Sequence, residues 1–158
     1  MNRKGDNGLI FQPNLARLRE SSTVKEDSMS IKKGKKILII DDDPDFVRTA
    51  GIVLKSAGYE VVEALSGKEG LEKSKSDKPD LYIIDFMMET YSEGSKVVRI
   101  LNEDEEAKGK PRIMITSLDL KGPWESFPQE WLGCKFVQQK PVSPHDLLAN
   151  VEKALKPR

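Results

Sequence analysis

Short apolar runs alternate with amphipathic segments from Lys35 almost to the C-terminus. The runs are typical of strands in a parallel sheet, and they predict strands at residues 37–40, 59–65, 81–84, 112–116 and 135–139. Apolar positions at helical spacing, with Asp43, Ser66 and Pro144 at three of the starts, predict helices over residues 43–57, 66–75, 94–107 and 144–155. Because strands that alternate with helices form βαβ units, the pattern predicts a parallel sheet with right-handed crossovers.

The polarity of the runs also predicts their order in the sheet. Residues 37–40, 81–84 and 112–116 are mostly apolar, as central strands buried on both faces are. Residues 59–63 and 135–139 carry Glu, Lys or Gln side chains, as edge strands do. We therefore predict an α/β fold of the flavodoxin-like (βα)5 type, a doubly wound five-stranded parallel sheet with strand order 2-1-3-4-5.

The connection between the fourth and fifth strands, residues 118–132, does not fit an ordinary helix. Pro123 and Pro128 disfavour a continuous helix, and Trp124, Phe127 and Trp131 add large aromatic side chains. We predict an irregular fourth helix here. Its aromatic side chains either pack within that irregular segment or form a contact with a partner or a second copy of the chain.

Residues 1–34 are mostly polar and charged, with few apolar side chains. Such a segment buries too little surface to offset the entropy lost on ordering. We predict a disordered N-terminal extension over residues 1–34 and one domain over residues 35–158.

Composition narrows the classes of function. Lys plus Arg and Asp plus Glu both number 26, so bulk charge does not favour nucleic-acid binding. No apolar stretch approaches the roughly 20 residues that cross a bilayer, and residues 1–8 lack the apolar core of a secretory signal. The single cysteine, Cys134, cannot form an internal disulfide. These features predict a soluble, cytoplasmic protein that does not contact nucleic acid or membrane directly.

Polar side chains follow four of the predicted strands. The first strand ends in residues 41–43, all Asp, and the third ends in Asp85. The fourth ends in Thr116, and the fifth runs into Lys140. Ligands of open α/β sheets bind beyond the carboxyl ends of the strands, so these side chains are expected at one site.

The types of side chain at these strand ends suit phosphoryl transfer. Clustered carboxylates repel one another unless a cation lies between them, and oxygen ligands favour Mg²⁺ or Mn²⁺ over Zn²⁺. A carboxylate can attack phosphorus in line, while a lysine and a hydroxyl stabilise the remaining phosphoryl oxygens.

Four motifs carry a resemblance to a known family. The segments ILIIDDDP (37–44), LYIIDFMM (81–88), IMIT (113–116) and KP (140–141) resemble the conserved blocks of bacterial two-component receiver domains. The likeness covers roughly residues 35–156. By position, it implies that Asp85 accepts the phosphoryl group, that Thr116 donates a hydrogen bond to it, and that Lys140 forms an ion pair with it. The Lys140–Pro141 peptide is often cis in this family.

The resemblance also implies a Mg²⁺ site. Asp42 and Asp85 would bind the ion through their carboxylates and Met87 through its backbone carbonyl. Asp41 would contact it through water or a shared hydrogen bond.

Three departures from the family pattern stand out. Glu89 replaces a frequent proline, although Gly94 still precedes the third helix. Val137 takes the position of a switch aromatic, so either the neighbouring Phe136 serves instead or the switch is absent, which we favour. The third departure is the irregular segment of residues 118–132 described above.

A further expectation concerns hydrolysis. Met87 and Leu118 hold the positions from which receivers can help to place the hydrolytic water. Neither side chain hydrogen-bonds water well, so we predict a comparatively long-lived phosphoaspartate.

As a function, the resemblance implies a phosphoacceptor signalling protein of a two-component phosphorelay. It would not be an enzyme but would assist its own phosphorylation and slow dephosphorylation. A histidine kinase or phosphotransfer protein would phosphorylate it. The surface formed by residues 118–132, the fifth strand and the last helix would control a downstream protein target, and a homodimer is a further option. With no output domain after Lys156, a stand-alone receiver is expected.

Two alternatives remain open at this point. A pseudo-receiver would keep the fold and bind a partner without being phosphorylated. A haloacid-dehalogenase-type phosphatase would use Asp41 and Asp43, although that family usually has Thr or Val at the position of Asp45.

Overall fold

The computed structural model describes residues 34–90, 93–119 and 133–156. Their centre is a five-stranded sheet in the order β2-β1-β3-β4-β5, with every neighbouring pair parallel. The strands are β1 (Lys36–Ile40), β2 (Glu60–Ala64), β3 (Leu81–Asp85), β4 (Arg112–Thr116) and β5 (Phe136–Gln139). The predicted fold class and strand order are confirmed.

Four helices lie within the described residues. They are α1 (Pro44–Ser56), α2 (Gly67–Asp77), α3 (Glu93–Glu103) and α4 (Pro144–Leu155). Side-chain oxygens cap three of them, since Asp43, Ser66 and Ser143 each accept a hydrogen bond from an amide of the first turn. None of these helices is long and apolar enough to cross a membrane.

Two predictions lie outside the described residues. One is the disordered extension over residues 1–34, of which only Gly34 is described. The other is the irregular fourth helix, of which residues 120–132 are not described.

The third helix is shorter than predicted. It ends at Glu103 rather than near Ala107. Asp104 Oδ1 accepts hydrogen bonds from Glu106 N and Ala107 N, at 2.9 and 3.1 Å. This side chain offers the backbone a turn in place of further helix, which is how aspartate competes with helical hydrogen bonding.

The two faces of the sheet pack against different helices. Ile37 and Ile39 face a core that α1 and α4 cover, whereas Leu38 and Ile40 face a core that includes α3. This alternation follows from the two-residue period of a strand. All residues of β3 and β4 are buried, while β2 and β5 are only partly buried, so the predicted central and edge strands are confirmed.

A charged side chain is buried at the start of β4. Arg112, the first residue of β4, is only 2% exposed. Its Nη2 donates to the carbonyl oxygens of Leu101 and Ala107, at 3.1 and 3.0 Å, and its guanidinium lies 6.0 Å from the ring centroid of Tyr82. Arg112 therefore ties the end of α3 and the turn after it to β4.

Candidate functional site

Four polar side chains meet at the carboxyl edge of the sheet. Asp41 directly follows β1, Asp85 and Thr116 end β3 and β4, and Lys140 directly follows β5. Asp41, Asp85 and Thr116 are at most 3% exposed, whereas Asp42 is open to solvent. The parallel topology thus brings together the residues that the sequence placed at strand ends.

Lys140 joins the two buried carboxylates. Its Nζ lies 2.8 Å from Asp41 Oδ2 and 3.0 Å from Asp85 Oδ2. The contact to Asp85 is a hydrogen bond, while the contact to Asp41 is an ion pair without hydrogen-bond geometry. Burial lowers the pKa of Lys140, but the two carboxylates outweigh it and raise that pKa above its ordinary value. The ammonium is therefore charged at neutral pH.

The positive charge of the Lys140 ammonium does not fully compensate the negative charges of Asp41 and Asp85. Burial raises the pKa of Asp41 to about 6, and the charge of Asp85 adds to the shift. Lys140 and a hydrogen bond from Asp43 N, 3.0 Å from Asp41 Oδ1, oppose the shift without cancelling it. An elevated carboxylate pKa in a site of like charges indicates a place that favours a further cation.

Three carboxylates have the arrangement of a metal site. One oxygen from each of Asp41, Asp42 and Asp85 lies within 4.8 Å of the others. The set contains only oxygen donors, which suits Mg²⁺ or Mn²⁺. The residues present therefore fit a divalent cation.

The loop after β3 lies directly over the carboxylate of Asp85. Met87 N donates to Asp85 Oδ1 at 3.0 Å. Gly94 packs against the backbone of Asp85 and Phe86 so closely that a β-carbon at position 94 would overlap their atoms. A glycine in the first turn of α3 is therefore required by this close backbone approach, a role that its position in the sequence alone did not specify.

Thr116 and Lys140 are linked through the backbone. Lys140 N donates to Thr116 O at 2.7 Å, and Thr116 Oγ1 accepts a hydrogen bond from Leu118 N at 3.1 Å. The hydroxyl thus lies at the same edge as the carboxylates. The Lys140–Pro141 peptide is cis, as the resemblance implied.

The positions of Phe136 and Val137 show whether Phe136 can replace the usual switch aromatic. Phe136 packs against the core that α1 and α4 cover, whereas Val137 packs against the opposite core. Consecutive residues of a strand point to opposite faces. Phe136 therefore cannot occupy the space of an aromatic at position 137, which supports the expectation that the usual switch residue is absent.

Sequence reasoning missed one aromatic neighbour of the site. The ring centroid of Phe46, in the first turn of α1, lies 4.8 Å from Lys140 Nζ. Its spacing in the sequence marked it only as part of the apolar face of α1. No sequence signal linked it to Lys140, because the two residues lie in elements far apart along the chain.

The sequence of this chain is similar to those of response regulators. Residues 37–152 match the family model of the response regulator receiver domain. The polar-differentiation response regulator DivK of Brucella ovis is 30% identical over 109 residues, which cover 69% of this chain and 86% of DivK. PhoP of Bacillus subtilis, an alkaline phosphatase synthesis transcriptional regulatory protein, is 32% identical over 77% of this chain, but the match spans only 49% of PhoP.

Two solved receiver structures illustrate the similarity of the fold. A CheY-like receiver domain protein of Methanospirillum hungatei has a TM-score of 0.67 and 28% identity, over 78% of this chain and 94% of that protein. The chemotaxis response regulator CheY4 of Vibrio cholerae has a TM-score of 0.69 and 26% identity, over 77% and 99% of the two chains. The chain therefore belongs to the response regulator receiver domain family.

Proposed function

We propose that this chain accepts a phosphoryl group on Asp85 and acts as a phosphoacceptor of a two-component phosphorelay. The observation that supports this most directly is the bridge from Lys140 Nζ to both Asp41 and Asp85 beside a third carboxylate. It places a fixed cation next to an oxygen nucleophile. Membership of the receiver family argues against the phosphatase alternative, in which Asp41 would be the nucleophile.

A Mg²⁺ ion, or Mn²⁺ in its place, would be held by the carboxylates of Asp42 and Asp85 and by the backbone carbonyl of Met87, and Asp41 would contact it through water or a shared hydrogen bond. When bound, the ion supplies positive charge that offsets the negative charge of the carboxylates and the phosphoryl oxygens. The raised pKa of Asp41 and the mutual distances of the three carboxylates support this assignment.

The chain's own side chains would guide the transfer. A carboxylate oxygen of Asp85 attacks phosphorus and forms a new P–O bond, while the bond from phosphorus to the donor breaks and the donor leaves with the electron pair. Lys140 exchanges its contact with Asp85 Oδ2 for one with a phosphoryl oxygen. Thr116 donates its hydroxyl proton in a hydrogen bond to a second oxygen.

The partners follow from the family. A histidine kinase or phosphotransfer protein would donate the phosphoryl group in the cytoplasm, and a protein target would contact β5, α4 and residues 118–132. We assign residues 35–158 to the receiver domain and residues 1–34 to an extension.

Intact-mass spectrometry after incubation with acetyl phosphate tests the proposal. We expect one added phosphoryl group in the presence of Mg²⁺ and none after chelation with EDTA. Asp85→Asn should remain unmodified, and Asp42→Asn should be modified more slowly because it would lose one ligand to the ion. A folded wild-type protein that binds Mg²⁺ but gains no phosphoryl group would favour the pseudo-receiver.

A further inference from the structure

A basic groove lies at the amino edge of the sheet, opposite Asp85. It has a volume of about 820 Å³. Its wall comes from residues just before β1, β3, β4 and β5 and from the end of α4. Because parallel strands all start at one edge and end at the other, this groove is separate from the carboxylate site.

The groove is strongly positive. Its charged lining consists of six cationic side chains and one carboxylate, namely Lys35, Lys108, Lys110, Arg112, Lys135, Lys156 and Asp80. The whole chain has a formal net charge of zero, so this charge is concentrated locally and does not reflect a basic composition. A concave surface of one sign concentrates ligands of the opposite sign.

Three of these cations already have partners. Lys35 Nζ lies 2.8 Å from Asp80 Oδ1, and Lys108 pairs with Glu105 at 2.5 Å. Lys135 Nζ donates to the carbonyl oxygens of Lys153 and Ala154, so it caps the end of α4. These three cations therefore stabilise the fold through contacts that need no ligand.

The other three cations, Lys110, Lys156 and Arg112, have donor groups that bind no described residue. Within residues 34–90, 93–119 and 133–156, the ammonium groups of Lys110 and Lys156 make no hydrogen bond or ion pair, and Lys110 acts on Asp80 only through its charge. Arg112 is 98% buried in the groove wall, where its guanidinium adds positive charge beside the two lysines. Its Nε makes no hydrogen bond within that part of the chain and is closed off from solvent, so Arg112 would act on a ligand through its charge.

We propose that this groove binds a small molecule that carries several phosphate groups. Its volume lies in the range of small-ligand sites, roughly 300–1,000 Å³. Lysine ammonium groups and a guanidinium are the side chains that proteins use to bind phosphate oxygens. The inference goes beyond phosphoryl transfer and does not depend on Asp85.

Calorimetric titration of the full chain with sodium tripolyphosphate tests this site. EDTA is present throughout, so that no metal ion can draw the anion to the aspartate cluster. The variant Lys110→Gln/Lys156→Gln removes two groove cations. Lys96→Gln/Arg99→Gln removes two exposed cations from α3 and is the matched control. Circular dichroism confirms that both variants fold.

We expect one saturable site per chain, weakened by about tenfold or more in the groove variant and unchanged in the control. Adenosine triphosphate that binds more tightly than tripolyphosphate would identify a nucleotide as the ligand, whereas equal binding would identify free polyphosphate. Equal weakening in both variants, no saturable binding, or tighter binding of a hexaglutamate peptide would overturn the proposal.

Discussion

The ammonium of Lys140 lies 4.8 Å from the ring centroid of Phe46 and also contacts the carboxylates of Asp41 and Asp85. Phe46 owes its place to the start of α1, where Asp43 Oδ1 accepts a hydrogen bond from Phe46 N at 3.2 Å. The same helix start that follows the acidic residues thus places an aromatic face beside the lysine. A cation over an aromatic ring gains about 0.5–2 kcal/mol.

Phe46→Leu should slow phosphorylation by acetyl phosphate about threefold, because the ammonium loses one of the groups that hold it near Asp85. Phe46→Tyr keeps an aromatic face and should restore most of the rate. The initial rate of phosphoryl incorporation, measured by intact mass, checks this. Phe136→Leu is the control, since Phe136 packs against the same core as Phe46 but is not in the site. Equal rates for the Leu and Tyr variants of Phe46 would contradict the role of its ring.

Gly94→Ala should disturb the loop over Asp85. A β-carbon there would overlap the backbone of Asp85 and Phe86, and rigid backbone atoms cannot move aside as a flexible side chain can. We expect a loss of about 2 kcal/mol or more in the free energy of unfolding. Gly109→Ala is the matched control, because a β-carbon at position 109 meets no atom within 4 Å. Its unfolding free energy should stay the same or rise slightly. Urea denaturation measures both, and equal losses would argue against the close approach.

The pattern of apolar residues predicted the fold well because each strand is short, uniform in polarity and bounded by clear helix signals. It also predicted that Asp41, Asp85, Thr116 and Lys140 lie at one edge of the sheet, since parallel strands necessarily bring their carboxyl ends together. Those relationships depend on the order of elements along the chain. They do not depend on the detailed packing of side chains.

Contacts between distant elements were harder to predict. The sequence did not indicate how the charge of Arg112 would be satisfied at the start of a buried strand, because this depends on the carbonyl groups of Leu101 in α3 and Ala107 in the turn after it. The length of α3 was overestimated for a related reason, since the local hydrogen bonds of Asp104 outweighed the apolar spacing. In both cases the structure depends on hydrogen bonds, local ones for Asp104 and tertiary ones for Arg112, that the spacing of apolar residues does not reveal.

The pair of Lys35 and Asp80 should make stability depend on pH. Burial raises the pKa of Asp80, but hydrogen bonds from Lys35 Nζ and Lys36 N, at 2.8 and 2.9 Å, outweigh it and hold that pKa below its ordinary value of 3.8. A carboxyl group with a lowered pKa stabilises the folded state above its ordinary pKa. That contribution is lost as the pH falls through the lowered value.

Asp80→Asn should therefore lower the free energy of unfolding by about 1 kcal/mol at pH 7, with the deficit shrinking once the pH falls below about 3.8. Urea denaturation of both proteins between pH 7 and pH 3 measures the difference. Asp77→Asn is the control, because its contact with Lys36 is long, at 4.0 Å, and partly exposed. A deficit for Asp80→Asn that stayed constant down to pH 3 would show that charge is not its cause.

The phosphorylated state should be long-lived because apolar side chains flank Asp85 and Thr116. Met87 and Leu118 both pack, partly buried, against the core beneath the site. Neither side chain provides the hydrogen bond that would hold a water molecule in line with the phosphorus atom of phosphorylated Asp85. Positioning and proton transfer of this kind accelerate hydrolysis strongly where a polar side chain supplies them.

Met87→Asn would introduce an amide that can hold such a water, and we expect it to shorten the half-life of the phosphorylated protein by about tenfold. Met87→Leu keeps the position apolar and controls for any change in packing. Both proteins are phosphorylated with acetyl phosphate, transferred to buffer without the donor, and followed by intact mass at constant Mg²⁺. The backbone hydrogen bond from position 87 to Asp85 Oδ1 is available in both variants, so a difference between them reports on the side chain. Loss of the phosphoryl group from the wild-type protein within seconds, or equal half-lives for the two variants, would show that hydrolysis is controlled elsewhere in the site.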